Sequence, residues 1–295
     1  MTTEKQLFPS RWLAAVVFSV ALVHGAMAFA QAYKEEAPDP RFASYQKAMY
    51  GEEAKEASRK LTGQAEMDGA ETLFTDLLEK GVFPHFTQKD NLKDWVKRKT
   101  DVKQKFFNPA KVQAALDLVN QITLHKMSEY ANDNYHIMAR YQAMIFIGEL
   151  NQSLVGKPVV PLPEALPVMV KAASNTQLPT AVRVAALLGI KRHADSTLPE
   201  EIKKPVANAM LALVKTKEPA GGESQEGQDW LRRRAADIAA TLGLNTPEVK
   251  EIQALNAAAA MPAAAAAILV PPVELKPELP KKVGPAKADD PFSTK

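Results

Sequence analysis

Apolar residues recur at helical spacing along most of the chain, and the clearest case runs from Leu178 to Ala194 (LPTAVRVAALLGIKRHA). A proline suited to a first turn opens it, and a basic cluster closes it, as a helix C-terminus prefers. Two further stretches, 134–150 and 230–243, follow the same plan. In each, an arginine is followed three residues later by alanine: Arg140 and Ala143, Arg183 and Ala186, Arg233 and Ala236. A glycine comes about two turns on, at Gly148, Gly189 and Gly243. The pattern predicts three imperfect copies of one helix.

Each copy has a helix before it. Val112, Leu116, Val119 and Ile122 with Thr123 predict a helix from near Asn108 to about Tyr130, with a turn over 131–134. The second pair is expected over 163–174 and 179–194, and the third over 199–215 and 227–243. Leu162-Pro163-Glu164 and Leu198-Pro199-Glu200 start corresponding helices with the same three residues. Pro167 and Pro205 then fall inside them, as kinks near their starts. Arg140 and Arg183 lie 43 residues apart, and Arg183 and Arg233 lie 50 apart. The Gly- and Glu-rich stretch 217–227 accounts for the longer step.

Helix pairs repeating at about 40–47 residues are the mark of HEAT-type solenoids. With Ala-Val-Arg-Val-Ala-Ala at 181–186 and Leu-Arg-Arg-Arg-Ala-Ala at 231–236, the chain resembles that family over about residues 108–245. The resemblance implies an all-α fold, a short HEAT-like α-solenoid of three helix pairs. It also implies that Arg140, Arg183 and Arg233 tie down the preceding turn, often through an acidic side chain. The turn at 175–180 offers no aspartate for such a bond. A short helix after Thr246 is expected to cap the stack up to 256.

Outside the repeats the pattern changes. Residues 1–30 read as an export leader: Lys5 and Arg11 precede an apolar run from Leu13 to Val23, and Ala28-Phe29-Ala30 is a small-x-small cleavage site ahead of Gln31. The alternative is an uncleaved anchor over residues 12–32, which His24 and Gly25 interrupt. Either way the rest lies outside the cytoplasm, periplasmic or extracellular, and meets a membrane only if that segment is kept. Residues 31–107 read as an N-terminal helical segment. It holds a charged helix from Phe42 to about Lys60, an amphipathic one from Asp68 to Lys80 buried through Leu73, Phe74, Leu77 and Leu78 and ended by Gly81, and a basic one from Lys89 to Phe106. Glu52, Glu53 and Glu56 read as a solvated face. Residues 257–295, rich in Ala, Pro and Lys, cannot bury enough apolar surface to fold alone and read as a flexible, disordered tail.

Composition narrows the chemistry. The chain has 295 residues, 46% of them hydrophobic, and a formal charge of +3, which is too small to imply nucleic-acid binding. With no cysteine there is no disulfide, thiolate metal site or cysteine nucleophile. After the leader the histidines are His85, His125, His136 and His193, and none pairs into a ligand motif; His125 and His136 are expected to meet at most as a structural pair across a hairpin. No nucleophile elbow, phosphate loop or dinucleotide fingerprint appears. The expectation is a non-enzymatic protein-interaction or scaffold module with no metal and no cofactor. Its contacts would be the exposed sides of the repeat helices and two basic segments, Lys97, Arg98 and Lys99, and Arg232 with Arg234. The first of these reads more simply as a solvated face, whose Asp–Lys neighbours support the helix. The competing readings are a small enzyme or enzyme-maturation accessory that grips its substrate in the repeat groove, and a membrane-anchored envelope structural protein.

Overall fold

The computed structural model describes residues 33–196, 198–219 and 224–256. The leader, its cleavage residues Ala30 and Gln31, and the tail 257–295 lie outside the described residues. The chain divides into a compact unit ending at Gln253 and a second from Ala254 to Lys295. The described residues are helical, with ten α-helices and no β-strand. A lone antiparallel bridge joins Asn151 to Pro161. No described helix is long and apolar enough to cross a membrane.

The N-terminal part departs from the three long helices expected there. Pro40–Phe42 is a 3-10 turn, followed by α1 (Tyr45–Tyr50) and α2 (Glu52–Thr62). Gly51 divides them: its amide closes α1 on the Lys47 carbonyl at 2.9 Å, and a Cβ there would sit 2.5 Å from that oxygen. α3 (Ala70–Thr75) loosens into a π-helical turn over Asp76–Val82. Gly81 therefore ends nothing. It lies within the π-turn, where a Cβ would come 2.8 Å from the Phe42 ring. The basic helix is likewise composite, a 3-10 stretch (Lys89–Asp94), then α4 (Trp95–Val102), then a π-turn (Lys103–Phe107).

Aromatic rings dictate these changes of winding. Phe42, Phe74, Phe83, Phe86, Trp95 and Phe106 are all buried, and no single helical period turns them all inward. Phe86 meets Trp95 edge-on at 4.7 Å between centroids, and Trp95 meets Phe146 at 6.4 Å. Because Phe146 belongs to the first repeat-like pair, the helices before and after residue 107 share one core. Glu149 strengthens the joint by accepting from Lys99 at 2.7 Å and Lys103 at 3.2 Å.

Three helical hairpins follow: α5 (Gln113–Asn132) with α6 (Ile137–Glu149), α7 (Ala165–Ser174) with α8 (Thr180–Ala194), and α9 (Glu200–Lys215) with α10 (Gln225–Thr241). Glu164 and Pro199 stand at the N-caps of α7 and α9, so the Leu-Pro-Glu pair marks both starts. Asn108, by contrast, lies in a turn before α5. Within each hairpin the helices pack on each other, and α6 packs along α8 and α8 along α10. The first helices, α5, α7 and α9, touch one another far less.

An arginine pegs every hairpin. Arg140 donates through Nε to the Ala131 carbonyl (3.2 Å), Arg183 to Ala173 (3.1 Å) and Arg232 to Val214 (3.0 Å). Each acceptor is the next-to-last residue of the first helix, whose last carbonyls have no partner within the helix. All three arginines thus bond a main-chain carbonyl at the end of the first helix. In the third hairpin the peg is Arg232 and not Arg233, which is exposed. Ala143, Ala186 and Ala235, each three residues after a peg, are all fully buried. The run of three arginines had hidden a register shift of one.

The glycines also separate by role. A Cβ on Gly148 would lie 2.9 Å from the Gly189 Cα, so α6 and α8 cross backbone to backbone there. Gly243 has φ of +85° and closes α10, with the Leu244 amide reaching the Ala239 carbonyl at 2.9 Å. After it, a helical segment at 247–256 buries Val249 and Ile252.

Candidate functional site

Where the first helices stand apart, two grooves open. The larger, about 1110 Å³, lies between α5 and α7 under the turn at 151–153. Gln113, Asp117, Asn120, Gln121, Leu124, His125 and Ser128 line it from α5, one helical face at spacings of three and four residues. Gln152, Ser153, Leu162, Glu164 and Val168 complete the wall. The second groove, about 620 Å³, lies between α7 and α9 and is mostly apolar: Pro163, Leu166, Pro167, Val170, Ile202, Pro205 and Val206, with Glu164, Lys171 and Glu201 on its rim. Glu164 lines both, so the two grooves adjoin on the face of the first helices. Pro167 and Pro205, expected as kinks, contribute wall surface here.

The floor of the first groove is held rigidly. Asn120, 1% exposed, donates through Nδ2 to the Asn151 carbonyl at 2.8 Å. Arg192 comes from α8 to donate to the carbonyls of Gly148 (2.8 Å) and Leu150 (3.1 Å) and to the Asn151 side chain. Arg192 thereby caps the end of α6, a neighbouring helix. The Gln152 amide reaches the Val160 carbonyl at 3.0 Å and the Leu162 amide the Leu150 carbonyl at 3.0 Å, pinning the loop between them. Val155, Val159 and Val160 are exposed on that loop.

The two expected basic segments are placed unevenly. Lys97 is exposed, but Lys99 is buried in its ion pair with Glu149, and Arg98 is half-buried, its guanidinium 4.3 Å from the Tyr45 ring and bonded to Asn91 at 2.7 Å. Burial opposes ionisation of Glu149, yet Lys99 and Lys103 hold its carboxyl below the usual range. One charge of the three faces solvent freely. Arg232 is spent as a peg, while Arg234 stacks over Trp230 at 5.2 Å and approaches Asp237.

The histidines keep separate company. His125 is exposed and bonds Glu79 at 3.2 Å, and His136 caps α6 by accepting from the Met138 amide at 3.2 Å and packs edge-on against Tyr33. His85 is buried against the Phe42 carbonyl, and burial lowers its pKa. His193 is buried beside Arg192; burial and that charge push it down to about 4. Among the described residues no group of three His, Asp or Glu gathers as a metal site.

A second polar cluster ties the first described residues to α5. Glu36 accepts from Lys126 (2.9 Å), Tyr135 (2.6 Å) and Tyr130 (2.9 Å), and Glu129 accepts from Lys126 (2.9 Å) and Lys34 (3.1 Å), sharing the one Tyr135 proton at the longer distance of 3.0 Å. Burial pushes Glu129 up, but the two lysines outweigh it and hold the carboxyl at about 2. Burial drives the Tyr130 hydroxyl well above its ordinary range. The acceptors are occupied from within, so this cluster is a fastening.

Sequence reasoning passed over Asn120, Asn151, Arg192 and Glu36. Asn120 had a signal: it is a lone amide beside Val119 on the apolar stripe of α5. The others had none, since their partners lie 31 or more residues away. Comparison of the chain with protein-family models, curated proteins and solved structures finds no match.

Proposed function

We propose that the chain is a non-enzymatic polypeptide-binding module working outside the cytoplasm, built on a short HEAT-like α-solenoid. In this reading the three hairpins are successive repeats and the helix at 247–256 is the cap. The repeated arginine pegs and the chain-order contacts of α6, α8 and α10 support it. The observation that carries the binding role is the pair of adjoining grooves on α5, α7 and α9, joined at Glu164. One groove offers hydrogen-bonding groups and the other apolar walls, which suits an extended polypeptide with polar main chain and apolar side chains. Nucleic acid fits poorly, because Lys171 is the one Lys or Arg among the residues lining either groove.

Site-specific photo-crosslinking tests this. A photoreactive side chain at Gln121 or Val170 is expected to capture a polypeptide partner, whereas one at Lys55 on α2 is expected to capture none. Equal capture from all three positions would overturn the reading.

One feature favours an anchored form. Tyr33, Ile137 and Met138 are exposed apolar side chains, and Tyr33 packs edge-on against His136, the residue before Ile137. Mass spectrometry of the mature N-terminus decides it: a start at Gln31 argues against anchoring, and a retained leader argues for it.

A further inference from the structure

We infer, resting on the reading of these grooves as a polypeptide site, that the α5–α7 groove takes a lysine or arginine side chain of the partner, whose neighbouring apolar residues fill the α7–α9 groove. The argument is an inventory of donors and acceptors. Asp117 and Glu164 carry formal negative charge into the α5–α7 groove, no Lys or Arg lines it, and neither carboxylate has a salt bridge among the described residues. Of the donors present, those of Gln113, Ser128 and Asn120 are consumed internally, and the neutral side chains of Gln121, Gln152 and Ser153 bring donors but no charge to offset the carboxylates. Gln113 Nε2 is given to Asp117 (2.7 Å) and to the Gln152 carbonyl (2.9 Å), the Ser128 hydroxyl to the Leu124 carbonyl, and Asn120 Nδ2 to the Asn151 carbonyl.

That last bond settles the orientation of the Asn120 amide. A carbonyl can only accept, so the nitrogen faces Asn151 and the oxygen is left over. Asn120 Oδ1 is buried and has no hydrogen-bond partner, although the residue lines the groove. A buried acceptor without a donor is costly to keep, and it sits one helical turn after Asp117 on the same face. The groove therefore presents two carboxylates, and its wall holds an acceptor, Asn120 Oδ1, that is buried without a donor. An ammonium or guanidinium group supplies donors and positive charge together, and no anion does. The adjoining α7–α9 groove sets what flanks that cation, because its walls are Leu166, Val170, Ile202 and three prolines. Free ligands with phosphate are disfavoured by the same charges.

The test uses the immobilised full chain and a positional-scanning library of extended hexapeptides. Lys or Arg is expected to be selected at one position and apolar residues nearby, with binding of the selected peptide weakening as salt rises. Asp117→Asn with Glu164→Gln is expected to weaken the selected peptide at least tenfold and erase the basic preference while the apolar preference survives. Both side chains are exposed, so the thermal midpoint should not move. Glu164→Lys is expected to favour Asp or Glu at the selected position instead. Apolar selection without basic selection, or basic selection unchanged in both variants, overturns this inference and leaves the groove reading standing. No peptide binding to the parent chain overturns both.

Discussion

On the side of α6, α8 and α10, glycine and alanine bring backbones together and arginines cap what the packing leaves open; on the side of α5, α7 and α9, prolines and the 151–161 loop line gaps between helices. The same hairpins make both sides. The difference shows where the chain commits its small residues: Gly148 and Gly189 are spent on close approach at one crossing, and Asp117 and Glu164 are left facing open space at the other. Substitutions on the packed side should cost stability, and those on the open side should cost binding.

The sharpest way to break that contrast is Arg183→Ala. Arg183 is 1% exposed and bonds the Ala173 carbonyl, so removal leaves a cavity and an orphan carbonyl; a loss of about 3 kcal/mol is expected in denaturant unfolding. Gly189→Ala places a methyl 2.1 Å from the Met169 sulfur and 3.0 Å from the Gly148 Cα. It should cost about 2 kcal/mol by the same measurement, with Met169 absorbing part of the strain.

His193 probes the packed side by pH. The unfolded imidazole takes its proton near 6.5 and the folded one near 4, so its contribution is full above pH 6.5 and is lost as pH falls toward 4. Stability should drop by about 1–2 kcal/mol by pH 5, and His193→Asn should flatten that part of the profile. Arg232→Ala should cost about 1 kcal/mol, since a partly exposed peg is lost, whereas Arg233→Ala should stay within about 0.5 kcal/mol. Equal effects would return the third repeat to the register read from sequence. On the open side, Asp117→Asn and Glu164→Gln should change unfolding by less than about 0.5 kcal/mol. A larger loss would mean that these carboxylates serve the fold.

The hairpins were legible in the chain because apolar period and proline starts agree there, from Leu162-Pro163-Glu164 onward, and Gly243 ends the last of them. The N-terminal part was legible only as apolar helix: Leu77 and Leu78 are buried as expected, but the rings of Phe42, Phe83, Phe86 and Trp95 override a single winding, and composition does not show a π-turn. Arg-Arg-Arg at 232–234 fits the repeat in more than one register, and the bond from Arg232 to the Val214 carbonyl, with Arg233 exposed, selects Arg232. Charge alone marked Lys97 to Lys99 as surface, because Glu149, which draws Lys99 inward, is 50 residues away. The grooves were out of reach for the same reason. Asn120, Glu164 and Ile202 meet on one face only after three helices have been set side by side.

The fastening of Glu36 to Tyr130 has a further consequence for how the chain comes together. It joins positions 94 residues apart, so the whole aromatic N-terminal part is a loop closed at its base by one carboxylate and its three donors. Contacts so distant in the chain are slow to find. A chain lacking residues 34–36 would leave Glu129 as the remaining acceptor for Lys126 and Tyr135, and the buried Tyr130 hydroxyl would lose its carboxylate.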